Sequence, residues 1–482
     1  MEFRREYNGC KSYGCSNCGE ADMQRYSRSS RLGYDAWFCP LCGAYPPVLL
    51  NEPIVRLAKQ IDHHHFQMML EPCLCHRSLW RKRGFTSAGS QRVQCLQCGE
   101  MRTLLNATIL SEKLQPMLKG LLAGIKPDML QQYLGLTNKI FAKHLALLTQ
   151  ILRTFSRVME TNYNLQTLQI RSTIETARSG FRRQDHQRDA THLWTLSTAC
   201  SETGYLFLIT DNALLPTCAL SDDVLEKASY QLDLEERPAQ LSGNQDVLAL
   251  ARQRYETILS RSQFDQLAYC DKAHRYSKQA TLLRPVYAAH AHMQNVRRLL
   301  TNKIGVDIVL EHESFLRGAA ITALSTQVKQ QKFRLYYCHV VPEKNGKEVA
   351  YVQQNKVSWW QELWVMTSLK TDYGQWQVGI GLLTGSNLAN DRLAESLLPT
   401  HPNWNEQFWW QFHRWLALDY QVRLSLERVQ QWQEIYRYLF NYVEPKQPRN
   451  PAANMVKVTS IDHLVETINT AFLSQERQIF CD

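Results

Sequence analysis

The chain has 482 residues, a formal net charge of +10, 44% hydrophobic residues and 21% charged residues. That is length for roughly two to four domains of ~100–200 residues and a composition too apolar for a largely disordered chain. The polar start MEFRREYNGC and the lack of any apolar run near ~18 residues argue against a signal peptide and a membrane span, so a cytoplasmic location is expected; the basic excess favours a polyanionic partner.

Residues 1–52 read as a first zinc ribbon. Cys15-x2-Cys18 and Cys39-x2-Cys42 are two tight turns, each aiming two sulfurs at one ion. Gly19 and Gly43 follow them, where such a turn needs positive φ. Cys10 is either a spare or an alternative ligand. Nine of the chain's 14 cysteines lie in residues 10–98, and without an export signal they read as zinc thiolates rather than disulfides. Arg25, Arg28 and Arg31 are placed facing outward, as a phosphate-contacting surface or a solvated hairpin.

Residues 53–112 read as a linker helix, solvated at His63, His64 and His65, and a second zinc ribbon. Cys95-x2-Cys98 is a regular pair. Its partner pair is Cys73 with His76, or Cys73 with Cys75, so the fourth ligand stays open. Arg77, Arg81, Lys82, Arg83 and Arg92 make this hairpin strongly basic. The run Arg83-Gly84-Phe85-Thr86, then Ser90-Gln91-Arg92, then Cys95-x2-Cys98-Gly99 resembles the zinc ribbon that opens many bacterial insertion-sequence transposases.

Residues 113–160 form a helical adaptor. Lys126-Pro127-Asp128 opens one helix, Gly135 turns the chain, and Thr137 caps a second helix. This is helix-turn-helix spacing with Asn138, Lys139, Lys143 and His144 outward; a plain helical hairpin fits equally.

Residues 161–443 read as an α/β domain. Strands are predicted at 165–170, 191–200 and 205–210, and a helix at 245–261. A strand at 266–270 ends in Asp271. Further strands are predicted at 286–292, 306–310 and 333–341, with helices at 294–303 and 316–330. This order fits a ribonuclease-H-like core and other α/β folds. The hairpin Leu193–Tyr205 and the tail Tyr436–Tyr442 with Pro451-Ala452 are similar to those of transposase cores. That resemblance implies three carboxylates holding two Mg²⁺ ions for DNA cleavage and strand transfer. Asp271 matches the second position. The first is taken by Arg171–Thr173, leaving Glu175 nearby. The third is open among Glu311, Glu313, Glu395 and Glu427; the candidate set is Asp271, Glu175 and Glu311. His290 and His292 share one strand face.

Nine of the 12 tryptophans fall between 359 and 432, suggesting a helical insertion around 342–435 that is buried core or a dimer face. Residues 444–482 read as a Pro-rich linker and a C-terminal helix. The expected fold is thus a multidomain α/β chain with two zinc ribbons, a helix-turn-helix-like adaptor and a ribonuclease-H-like core. Two structural Zn²⁺ ions are expected, Mg²⁺ where the acids are complete, and DNA and a second copy of the chain as partners, in a nucleoid-associated protein. The resemblance points to transposase-like DNA recognition. The alternatives are a non-catalytic DNA-binding regulator and a zinc-stabilised interaction scaffold.

Overall fold

In this computed structural model the described residues are 3–66, 80–161, 168–182, 188–216, 220–221, 223–224, 246–260, 280–301, 303, 305–343, 352–354, 362–371, 374–385, 391–398, 403–444 and 460–474. The chain divides into two compact units, residues 1–62 with 165–409 and residues 63–164 with 410–482.

A short hairpin opens the chain: β1 (Ser27–Ser29) pairs with β2 (Ala36–Phe38), and helix α1 (Asn51–Phe66) follows. Next comes a three-stranded antiparallel sheet of β3 (Trp80–Phe85), β4 (Gln91–Cys95) and β5 (Met101–Thr103). Three helices continue: α2 (Ala107–Leu122), α3 (Pro127–Tyr133) and α4 (Asn138–Thr161). Local chemistry sets their ends. Asn106 Oδ1 accepts the Ile109 N–H and caps α2. Pro127 opens α3, where its missing N–H costs nothing. Gly135, at φ +61°, turns the chain into α4.

The large sheet begins with β6 (Leu168–Arg182), β7 (Arg188–Cys200) and β8 (Leu206–Asp211). Helices α5 (Val247–Ser260) and α6 (Pro285–Leu299) precede β9 (Val306–Leu310); α7 (Ser314–Lys329) precedes β10 (Phe333–Pro342). Then come β11 (Val352–Gln354), β12 (Leu363–Thr371) and β13 (Gly374–Leu382). Last are α8 (Trp404–Trp415), α9 (Leu426–Tyr442) and α10 (Ile461–Ser474). The eight strands lie in the order β11-β12-β13-β10-β9-β6-β7-β8. β9 runs parallel to both β6 and β10, and all other pairs are antiparallel.

Alternation along β7 shows how helices cover both faces. Ser197 and Thr198 point to opposite sides. Thr198 Oγ1 meets His292 Nε2 of α6 at 2.7 Å, and His292 Nδ1 meets Thr210 Oγ1 at 2.8 Å. On the other side Trp409 Nε1 of α8 donates to Ser197 Oγ at 3.1 Å. At the β7–β8 turn Gly204 has φ +68°, and a Cβ there would lie 2.4 Å from the Trp404 ring. Trp404 Nε1 donates to the Ser201 carbonyl beside it. This turn therefore needs glycine both for its backbone and for the approach of α8.

Two expectations are corrected. Residues 286–292 are not a strand. They lie inside α6, opened by Pro285 and rich in alanine, so His290 and His292 are buried on a helix. The tryptophan-rich region is not a helical insertion alone. β12 and β13 extend the large sheet beyond β10, with Trp364 fully buried in β12. Trp364 and Trp376 lie one on each of these strands, while Phe408–Trp415 falls on α8.

In the second unit, α9 packs on α4, while α10 packs on α2 and α4. Gln115 Oε1 accepts the Ile461 N–H, and Asn469 exchanges hydrogen bonds with Leu105. The underside of the β3–β5 sheet is apolar: Trp80, Val93, Cys95 and Leu104 cluster with Phe472 of α10. Among the described residues no helix is long and apolar enough to cross a membrane.

Candidate metal centre

The first hairpin gathers four thiols. One sulfur each from Cys10, Cys15, Cys39 and Cys42 lies within 4.8 Å of every other. Cys10 Sγ and Cys42 Sγ are 3.5 Å apart, and Cys15 Sγ and Cys39 Sγ are 3.9 Å apart. Four thiolates held tetrahedrally at a Zn–S distance of ~2.3 Å stand ~3.8 Å from each other. The cluster therefore fits zinc in donor type, number and spacing.

Its turns explain the fit. Gly43, at φ +73°, donates to the Cys39 carbonyl, and Cys39 N–H donates to Ala44. Burial alone raises the Cys39 thiol. The N–H groups of Cys42 and Leu41 and the Asn17 amide outweigh it and hold the thiol at about 7. Burial pushes Cys10 up and moves Cys15 to about 11. Metal capture by this cluster must therefore displace protons.

Cys18, expected as a ligand, stands outside the cluster, and Cys10 takes its place. Gly14, at φ +84°, lets residues 10–15 wrap as a Cys-x4-Cys loop. Cys18 is held just beyond it by its N–H to the Cys15 carbonyl, while Gly19 presses against Ser325 of α7. The Cys18 thiol is buried and raised by that burial, against the lowering effect of Lys329 and Arg317 of α7. The signal in the sequence was Cys10 itself; the shorter Cys-x2-Cys spacing drew attention away from it.

The Cys95-x2-Cys98 turn repeats the Cys39-x2-Cys42 geometry. Gly99, at φ +75°, donates to the Cys95 carbonyl, and Cys95 N–H donates to Glu100. Cys95 is buried and Cys98 exposed, the same disposition as Cys39 and Cys42. Cys73, Cys75 and His76 lie outside the described residues. On the outer face of this sheet Arg81 Nη2 and Arg83 Nε both donate to Gln94 Oε1, at 3.2 and 2.6 Å. Arg92 is exposed on the same side as Gln94, while Lys82 and Phe85, also exposed, pair with Val93 and Gln91 on the opposite side of the sheet.

The histidine run is not uniformly solvated as expected. His63 is exposed, His64 half-buried and His65 buried. His65 Nδ1 lies 3.2 Å from Glu434 Oε1, and His64, His65 and Glu434 form the second group of clustered donors among the described residues. Arg437 pairs with both Glu434 and Glu160. Burial would raise the Glu434 carboxyl, but Arg437, His65 and Arg153 hold it far below the usual range. With Arg153 and Arg437 already neutralising the carboxylate, this is a buried ion network and an unfavourable place for a further cation.

Of the expected acids Asp271, Glu175 and Glu311, the last two fall within the described residues. Glu311 directly follows β9, and its Oε2 accepts the Ile174 N–H of β6 at 2.9 Å. Glu175 Oε1 accepts the N–H of the adjacent Thr176. Glu313 is buried against Arg254 at 2.5 Å. Glu395 and Glu427 are exposed. Asp271 lies outside the described residues. Compared with protein-family models and with curated proteins, the chain matches none.

Proposed function

We propose that this chain is a DNA-binding protein of the insertion-sequence transposase type, with the outer face of the β3–β5 sheet as its phosphate-contacting surface. One observation carries the reading. Arg81 and Arg83 converge on a neutral partner, Gln94, and among the described residues neither meets a carboxylate, with exposed Arg92 on the same face. The sheet order adds support. β8-β7-β6 are antiparallel and β9 and β10 run parallel to β6, the strand order of a ribonuclease-H-like core. A second Zn²⁺ is assigned to Cys95 and Cys98 with Cys73 and either Cys75 or His76.

The test is the affinity for duplex DNA across a salt series, for the wild type and for Arg81→Ala with Arg83→Ala. The affinity of the wild type should fall steeply with salt. The double variant should bind less and show a slope smaller by ~1–2, about 0.9 per lost phosphate contact. A salt-independent affinity, or a double variant indistinguishable from the wild type, overturns the proposal in favour of an interaction scaffold.

A second reading, cleavage and joining of DNA with Mg²⁺, is favoured by the position of Glu311 at the end of β9, hydrogen-bonded onto β6. In that reading Glu311 and Glu175 hold the metal with Asp271. Mg²⁺- or Mn²⁺-dependent cleavage that is lost in both Asp271→Ala and Glu311→Gln supports it. DNA binding without cleavage leaves the non-catalytic regulator.

A further inference from the structure

The first unit contains a cavity of about 590 Å³ between the cysteine hairpin, α5 and α7, within the size range of small-molecule sites. Its lining has a specific chemistry. Tyr13 and Tyr45, both half-buried, and buried Tyr255 supply aromatic walls. Tyr255 is fixed edge-on to His312 at 4.3 Å, and its hydroxyl accepts Trp364 Nε1 at 3.4 Å, so that wall is preorganised. Lys11 lies along α7, its side chain 3.0 Å from where a Cβ on Gly318 would stand, and reaches the cavity rim.

One wall holds a carboxylate and a guanidinium together. Glu362 and Arg317 have side-chain exposures of 3% and 17%, and their Oε1 and Nε atoms stand 3.5 Å apart. They attract as charges, but among the described residues Arg317 Nε makes no hydrogen bond. A buried donor in this state is costly unless something else satisfies it. A ligand edge that offers an acceptor to Arg317 and N–H donors to Glu362 does so.

We propose that this cavity is a guanine-nucleotide site. The base stacks on Tyr13 and Tyr45, its O6 or N7 accepts from Arg317, its N1–H and N2–H donate to the Glu362 carboxylate, and Lys11 meets the phosphate. Only guanine among the common bases presents two adjacent N–H donors to one carboxylate while offering acceptors to an arginine. The same chemistry is available from a free guanosine nucleotide and from a guanine extruded from a nucleic-acid strand. The site shares no residue with the Arg81–Arg83 face, so it stands or falls separately from the DNA-binding reading.

The test is calorimetric titration of the full chain with the 5′-monophosphates of guanosine, adenosine and cytidine. Guanosine monophosphate should bind about tenfold or more tightly than the other two, because a site built for these donors rejects a base that lacks them. Glu362→Gln should erase that preference while leaving the bound zinc and the thermal midpoint in place. Where Glu362→Gln fails to fold, Tyr13→Ala provides the second arm and should weaken guanosine monophosphate about tenfold by loss of stacking. A single-stranded oligothymidine with one internal guanine then separates the sources. Competition with guanosine monophosphate marks an extruded base; undisturbed mononucleotide binding marks a free nucleotide. Equal binding of the three nucleotides, no saturable binding, or a preference that survives both substitutions overturns the proposal.

Discussion

The two cysteine-rich hairpins share one turn but differ in what their arginines meet. Cys39-x2-Cys42-Gly43 and Cys95-x2-Cys98-Gly99 share the same hydrogen bonds and the same positive-φ glycine. Their arginines differ. In the first hairpin Arg25 lies 3.3 Å from Asp22, and Arg28 lies 2.5 Å from Asp35 and over the Trp37 ring. In the second, Arg81 and Arg83 share the uncharged Gln94. A count of basic residues puts both hairpins forward as phosphate binders. Their partners separate them, because an arginine already paired with aspartate brings little net charge to a polyanion. The means of stabilisation differ as well: four thiols in the first unit, and the buried His65–Glu434–Arg437–Glu160 network in the second.

The largest effect should come from the thiols. Removal of metal by a chelator near pH 8, or Cys10→Ser, should unfold the 7–50 region and cost several kcal/mol, since the apparent binding energy of structural zinc is ~10–16 kcal/mol. Cys18→Ser should keep its metal. Metal content per chain and the thermal midpoint of the three proteins check this; a Cys18→Ser variant that loses zinc while Cys10→Ser retains it reverses the ligand assignment.

Next is the buried network. Glu434→Gln removes one of the two carboxylates on Arg437, leaving Glu160, and the negative charge that acts on Arg153, and should cost up to about 3–5 kcal/mol at neutral pH. The pH dependence follows from the shifts. Glu434 is held below its ordinary range in the fold, so the unfolded chain binds the extra proton, and stability present above ~4.5 is lost as pH falls. His64 is also lowered, by burial first and then by Arg153, so its contribution is complete above ~6.5 and is lost below it. Denaturant unfolding of the wild type should therefore weaken steadily from about pH 6.5 downward. The profile of Glu434→Gln should be flatter below pH 4.5; parallel profiles would show that Glu434 is not the titrating group.

Much of this architecture was legible in local sequence and part was not. The β7–β8 hairpin around Gly204, the strand Val306–Leu310 and the helix from Ser314 announced themselves through period and turn residues. The helix Pro285–Leu299 did not, because Val286, Tyr287 and the alternating histidines mimic a strand, and burial on all sides removes the polar face that marks a surface helix. Three cysteines of the thiol cluster were visible from spacing. The fourth depended on a left-handed turn at Gly14 that no spacing rule encodes. The His65–Glu434 contact joins residues 369 positions apart (434 − 65), beyond any local pattern. The cavity beside Tyr255 and Arg317 is likewise assembled from distant segments, so no single stretch announces it.

Two smaller predictions test the arginine contrast directly. Arg81→Ala with Arg83→Ala should weaken DNA binding by about 1–3 kcal/mol at moderate salt. Arg28→Ala should change it by less than ~0.5 kcal/mol, and should also barely alter stability, because an exposed pair such as Arg28–Asp35 contributes ~0–1 kcal/mol. The sharper experiment is the converse one. Asp35→Asn frees the Arg28 charge without removing it. If pairing is what silences the first hairpin, DNA affinity should rise slightly in Asp35→Asn and the salt slope should steepen by up to ~0.9. If instead the first hairpin is kept from DNA by its shape, Asp35→Asn should leave both unchanged, and the difference between the hairpins would lie in their surfaces rather than in the partners of their arginines.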